Sequence, residues 1–354
     1  MALSRVRAWP LTKSNIIDTK GVDETMVLNK VVGTLVGVAL GDAMGMPSEM
    51  WSRRKVKQRF GVITEFLPGP DDHFIVKGFK AGTITDDTSQ TLKICDAIIS
   101  NEGKVDAASI AHAILEWAEE TGAFENNYLG PSSQKALLSM KDGTSVTEAG
   151  GTGDTNGAAM RIAPIGMITK ADDIKRLVDH VEQASMGTHN TNIAIAGAAM
   201  LAAAISAAID TNDWDVILEK SFQAYDEGFN RGNDTLGASS KERLKLALQW
   251  IKEGQDEEQL MENIYNIIGA GVATTEAVPT AIALAYYAQG DPIKGVLLAA
   301  NLGGDCDTVG AMVGGLCGAY AGIEAIPEKY VSLLEEVNQI DLRGIAEKVY
   351  AFRK

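Results

Sequence analysis

Three cysteines in 354 residues, Cys95, Cys306 and Cys317, are an odd and widely spaced set without a C-x-x-C pair. They build no disulfide framework, so a reducing compartment, the cytoplasm by default, is the expectation. Histidine is as sparse: His73, His112, His180 and His189 form no H-E-x-x-H. Any metal site is therefore expected to use oxygen ligands, which favours magnesium, manganese or calcium over zinc. Basic residues are outnumbered too, 32 Lys and Arg against 47 Asp and Glu, for a net charge of −15. That balance argues against a nucleic-acid or anionic-membrane partner, which would call for a basic patch. Met1–Ile17 contains Arg5 and Arg7 and, like a transit peptide, no acids, but it lacks an apolar core of signal-peptide length. The apolar run Ile193–Ile209 is slightly short for a membrane span and rich in Ala and Gly, so it reads as the buried central helix of a bundle. No strand series and no repeat of fixed period occurs.

Against these absences stand glycines and acids in an ordered arrangement. Hydrophobic residues make up 45% of the chain, enough for a large core. Val27–Met46 carries Gly33, Gly37, Gly41 and Gly45, and the segment after Thr308 carries Gly310, Gly314, Gly318 and Gly322. Both rows have a period of four, which puts each on one helix face. A glycine costs about 1 kcal/mol against alanine inside a helix, so two such rows point to two backbones packed closely together. Pairing them would bring Asp42 and Glu49 near Asp305 and Asp307.

The remaining pattern is helical. Apolar periodicity predicts helices over Ser89–Ser100, Lys104–Glu119, Gln134–Met140, Ala171–Ser185, Trp214–Glu227, Lys241–Glu253 and Gln259–Ile268. Further helices are expected within Gly271–Gln289, over Ile293–Ala300 and, last, over Asn338–Phe352. Trp51–Phe60 reads as a short basic turn of helix and Ala158–Thr169 as an apolar stretch interrupted by Pro164. Leu67–Lys80, with two prolines and Gly78, reads as loop, as does Gly228–Ser240. The expectation is an all-α protein: an arm over residues 1–26 and a single bundle-like domain over 27–354.

Two acidic turns carry the chemistry. Thr85-Asp86-Asp87-Thr88 opens one helix and Asp305-Cys306-Asp307-Thr308 opens another. A lone Asp at such a place is ordinarily a cap. Paired acids exceed what one cap uses, and buried together they raise each other's pKa unless a cation compensates. A hard divalent ion seeks about six oxygens, which two such turns plus water supply. Two ions could clamp a substrate oxygen and activate a water. Gly151-Thr152-Gly153-Asp154-Thr155-Asn156-Gly157 lacks the last glycine and the preceding strand of a dinucleotide fingerprint; it is either a phosphate cradle or a plain turn. His189, before the central helix, is a capping or core residue or a ring that stacks on a base or ribose. Cys306 reads as a small residue pointing away from the ions.

Taken in order, Gly41–Gly45 with Glu49, Thr85–Thr88, Asn156–Arg161, Thr188-His189 and Gly303–Thr308 resemble the motifs of the ADP-ribosylglycohydrolases, from about Val31 to beyond Gly322. The resemblance implies a compact orthogonal helical bundle with a binuclear magnesium or manganese centre. By motif, Thr85, Asp86, Asp87, Asp305, Asp307 and Thr308 would hold the metals. Glu49, Asp86 and Asp305 would act in catalysis, with Glu49 either a switchable ligand or the group that handles the attacking water. Gly153, Asn156 and Gly157 would meet a diphosphate, His189 would pack on the ribose or adenine side, and Asp42 would stand behind the ligands. Where this chain has Cys306, that family usually has threonine. The implied activity is metal-dependent hydrolysis of the ribosyl bond of an ADP-ribosyl conjugate, small or carried on a protein, with ADP-ribosyl-arginine as one example. Two rivals keep the fold: a hydrolase of small nucleoside-like N-ribosides, and a catalytically silent, crystallin-like protein, against which the intact acidic turns speak. Acceptor and oligomeric state are not legible at this level.

Overall fold

The computed structural model describes residues 24–354, so the proposed arm lies outside the described residues except for Glu24, Thr25 and Met26, which begin the first helix. Among the described residues the chain is all α-helical, and strand-like pairing is limited to isolated bridges such as Trp51 with Gly304. The elements that frame the site are α1 (Glu24–Gly45), α2 (Arg53–Phe60), α3 (Asp86–Ser100), α4 (Ala107–Glu120), α5 (Pro131–Lys141), α6 (Asn192–Asp210) and α7 (Cys306–Ala321).

The centre consists of helices with no solvent face. α1 is buried at every position from Lys30 to Gly45, α6 from Asn192 to Ile209 and α7 from Cys306 to Ala319. A helix apolar all round must lie inside other protein or lipid. α6 is long and apolar enough to cross a membrane, and here it is wholly enclosed by the other helices.

The two glycine rows face one another. A Cβ placed on Gly37, Gly41 or Gly45 would run into the carbonyl of Gly314, Gly310 or Cys306, and one on Gly33 would lie 2.6 Å from the Gly318 oxygen. As the α1 position rises, its α7 partner falls in step, so the pair is antiparallel. It lies side by side along its whole length rather than crossing at one point. The C-terminal end of α1 therefore meets the N-terminal end of α7, and two distant acidic segments become neighbours.

Some boundaries differ from the sequence expectation for identifiable reasons. α3 starts at Asp86, so both acids of that turn are helical, with Thr85 in the extended conformation before them. Pro164 starts the Ala163–Ile168 helix instead of interrupting one, consistent with its missing N–H at a first turn. The closing helix expected over Asn338–Phe352 runs over Leu342–Tyr350, and a further helix, Glu328–Asn338, precedes it where none was expected. Gln339 takes a left-handed conformation at φ 54°, ending the earlier helix, and the Asp341 carboxylate accepts from the Gly344 amide to cap the later one.

Candidate active site

Each side of the site is built by local chemistry. Gly303 and Gly304 have φ of 87° and 91°, the left-handed region where only glycine is unstrained. They turn the chain so that the Gly304 amide donates to Trp51 O and the Asp305 amide to Ala270 O, each at 2.7 Å. On this anchored turn Asp305, Asp307 and Thr308 are all buried. Opposite them, α3 presents Asp86 and Asp87 in its first turn.

Asp42, on the last turn of α1, joins the halves. Its carboxylate accepts from the Thr85 amide and hydroxyl and from the Thr88 amide and hydroxyl, at 2.5–3.1 Å. The start of α3 is thereby fastened to α1, which the glycine rows fasten to α7. One oxygen each of Asp42, Asp87 and Asp307 lie within 4.8 Å of one another.

Three carboxylate oxygens here, Glu49 Oε2, Asp87 Oδ1 and Asp307 Oδ1, are buried and have no hydrogen-bond partner. Burial raises the pKa of Asp87, Asp307 and Glu49 well above the ordinary carboxylate range, and neighbouring carboxylates raise them further. Asp86 is pushed up to about 8, by burial first and then by the charges of Asp42 and Asp305. Asp42 is held at about 6, its four hydrogen bonds partly offsetting its burial. Unpartnered acceptors among buried acids are what a cation-binding centre requires. The residues present fit a hard divalent metal, with all-oxygen donors and no cysteine or histidine among them.

The cluster opens on a cleft with two lobes that meet at Glu49, Asp86, Ile75, Asn127 and Tyr128. The larger lobe, about 350 Å³, is bounded by Thr155, Asn156 and Gly157 and by Gly130, Pro131 and Ser133 at the start of α5. Asp305, Asp307 and Thr308 form its acidic side. Asn156 donates through Nδ2 to Asp305 Oδ2 at 2.6 Å, which aims that carboxylate. Aromatic and aliphatic side chains wall the smaller lobe, about 160 Å³.

Not every expected residue reaches the cleft. His189 is fully buried and off the cavity wall. Its Nδ1 pairs with the Thr188 hydroxyl at 2.8 Å and its Nε2 with the Thr155 hydroxyl at 2.9 Å. A Cβ on Gly157 would lie 2.6 Å from His189 Cε1. The ring thus braces the Thr155–Gly157 wall from behind, and burial with nearby Arg161 keeps it neutral by holding its pKa well below the usual value. Gly153 also lies behind the wall, its oxygen accepting from the Thr191 hydroxyl at 2.6 Å. The Cys306 thiol is buried and hydrogen-bonds with Ser48.

Other contributors stand behind the acids and were not among the site residues expected from the sequence. Arg161 is buried and donates to Gln90 Oε1 and to the Thr188 hydroxyl. Gln90 in turn donates to Asp86 Oδ2 at 2.9 Å, so one buried cation steadies both a carboxylate and the His189 brace. His73 Nδ1 accepts from the Ile75 and Val76 amides at 3.1 and 3.2 Å, which leaves Nε2–H to donate to Glu49 O at 2.8 Å. The loop over the cleft is thereby tied to Glu49. Arg161 belongs to the Asn156–Arg161 motif and was findable there, whereas His73 sits in a loop without periodicity.

A family model described as ADP-ribosylglycohydrolase matches residues 23–354. The uncharacterized protein YegU of Escherichia coli is 42% identical over 93% of this chain and 98% of its own length. The ADP-ribosylarginine hydrolase Tri1 of Pseudomonas putida is 26% identical over 92% of this chain and 80% of its own. A solved structure titled ADP-ribosylglycohydrolase-related protein complex superposes with a TM-score of 0.66 at 24% identity, over 93% of this chain and all of that one. The match across the whole described chain makes this chain a member of the ADP-ribosylglycohydrolase family and a hydrolase of that type.

Proposed function

We propose that the protein hydrolyses the N- or O-glycosidic bond joining ribose C1 to its acceptor in an ADP-ribosyl conjugate, at a centre of two divalent cations, Mg2+ or Mn2+. The observation that carries this reading is the set of buried, unpartnered oxygens on Glu49, Asp87 and Asp307 beside a cavity that Glu49 and Asp307 line. Thr85, Asp86, Asp87, Asp305, Asp307 and Thr308 would hold the ions. When bound, these supply the positive charge that lets the carboxylates ionise together, grip ribose hydroxyls and make a water more acidic.

The chain's own groups do the rest. Glu49, where the two lobes meet, takes a proton from the attacking water, whose oxygen forms the new bond to C1. The acceptor leaves with the electron pair of the old bond and takes up a proton, through an oxocarbenium-like state that the surrounding carboxylates favour. Asp86 and Asp305 flank the ribose, and Asn156 fixes the aim of Asp305. Thr155–Gly157 and the start of α5 offer polar groups to a diphosphate in the larger lobe. Three free, buried cysteines accord with a reducing, cytoplasmic setting.

The test pairs calorimetric Mg2+ titration with mass-spectrometric product analysis on ADP-ribosyl-arginine. Asp305→Ala and Asp307→Ala should each abolish cation binding and cut turnover at least about 100-fold, as loss of transition-state electrostatics does. Unchanged binding and turnover in both variants would overturn the assignment.

A further inference from the structure

We propose that the smaller lobe is the leaving-group subsite and that it takes a planar, nitrogen-linked group, a guanidinium or a heterocyclic base, in preference to a serine oxygen. This rests on the ribosyl-hydrolase reading above, because the ribose must lie at the carboxylates where the two lobes meet. Its two substituents, at C1 and C5, then have one lobe each. The larger lobe has the polar Thr155–Gly157 wall and the first residues of α5, which suit phosphates, and leaves the smaller lobe for the group on C1.

The walls of that lobe decide what fits. Trp117, Tyr128 and Phe79 supply three aromatic rings, with Phe79 and Tyr128 6.0 Å apart at 61°. Ile75, Val76 and Ile84 add aliphatic surface, Thr83, Thr85 and Ser89 add hydroxyls, and among the described residues the charged side chains on the lining are Glu49 and Asp86. A flat conjugated group gains by stacking on such rings. Guanidinium gains further from ring faces and from acids at its head. Serine has no π face. Its backbone would also follow one methylene behind the departing oxygen, so peptide groups rather than a planar side chain would face the rings. An arginine stem, by contrast, spans the apolar section and carries its backbone to the rim, where Thr121 and Asn127 are exposed.

The experiment has a turnover arm and a binding arm. The full chain with Mg2+ is assayed on ADP-ribosyl-arginine, ADP-ribosyl-serine and a purine nucleoside. Free methylguanidine and adenine are titrated calorimetrically as probes of the empty subsite. At least one nitrogen-linked substrate should exceed the serine conjugate in kcat/KM by tenfold or more, and whichever it is tells guanidinium from base. Thr121→Trp, placed at the exposed rim so that folding is spared, should fill the lobe, raise KM for that substrate at least tenfold and abolish binding of the matching probe. Tyr128→Ala should weaken the same probe. A serine conjugate turned over as well as either nitrogen-linked one, or probe binding that survives Thr121→Trp in a folded protein, overturns the proposal. Probe binding to the wild type that Thr121→Trp abolishes, without turnover of any ribosyl substrate, would sink the hydrolase reading and with it the leaving-group role, leaving the lobe a binding site for planar nitrogen groups.

Discussion

Asp42 does not line the cleft, yet the geometry of the centre depends on it. It receives four donors from Thr85 and Thr88 and stands within 4.8 Å of Asp87 and Asp307. Asp42→Ala would strand those donors in a buried place, at about 1–3 kcal/mol for each left without a partner. Water entering the vacated space would recover part of that, so a net loss of about 2–4 kcal/mol is expected by urea denaturation, with weaker Mg2+ binding. A loss below 1 kcal/mol would show that α3 is held in place by other means. At this scale the sequence told much about the acids and little about their supports. Paired acids at helix starts are a local signal. That Asp42 serves two threonines more than 40 positions away, or that His189 turns inward to brace Thr155, is decided by tertiary packing.

Among the elements, the α1–α7 pair holds the site together. Its close contact was legible because a four-residue glycine period has few other physical explanations, and the structure supplies the antiparallel register that periodicity alone leaves open. Gly314→Leu is the telling substitution. Even a Cβ there meets Gly37 O, with Val296 Cγ1 3.2 Å away on another side, so the helices must separate. Forced overpacking costs about 1–3 kcal/mol and more where backbone must move. The expected result is a lower melting temperature and weaker Mg2+ binding in a protein whose ligands are all intact. Unaltered cation affinity in the folded variant would separate the glycine rows from the metal centre. Less legible were elements whose limits depend on single residues. The break at Gln339 rests on one left-handed residue, and the smaller lobe is assembled from a loop, α3 and α4 that share no sequence pattern.

For the whole molecule, the crowded acids tie stability to pH. Without cations, Asp42 at about 6, Asp86 at about 8 and the raised Asp87, Asp307 and Glu49 keep protons that an unfolded chain releases near the ordinary carboxylate values of 3.8–4.5. The native state then binds more protons than the unfolded state, so stability falls as pH rises through this range. That contribution is complete below the unfolded pKa and is lost progressively toward the folded values. Cation-free protein should melt several degrees lower at pH 8 than at pH 5, and saturating Mg2+ should remove most of the difference, because a ligand bound only by the native state stabilises it. A cation-free melting temperature that does not vary with pH would mean the acids are relieved in some other way. The all-α class and helical core were readable from apolar periodicity over the full length. The cleft was not, because its walls are loops and helix starts, far apart in the chain, that meet only after the helices pack.

The antiparallel pairing of α1 and α7 also dictates an order of events during synthesis. Asp42 emerges from the ribosome early and Asp307 only after most of the chain has followed. For most of translation the apolar α1 segment is without its glycine partner. No nascent chain that stops short of α7 can assemble the carboxylates or act on a substrate. The same dependence makes folding slow in principle, since its decisive contact spans nearly the whole chain. It also ensures that the carboxylates come together only after α7 has been made.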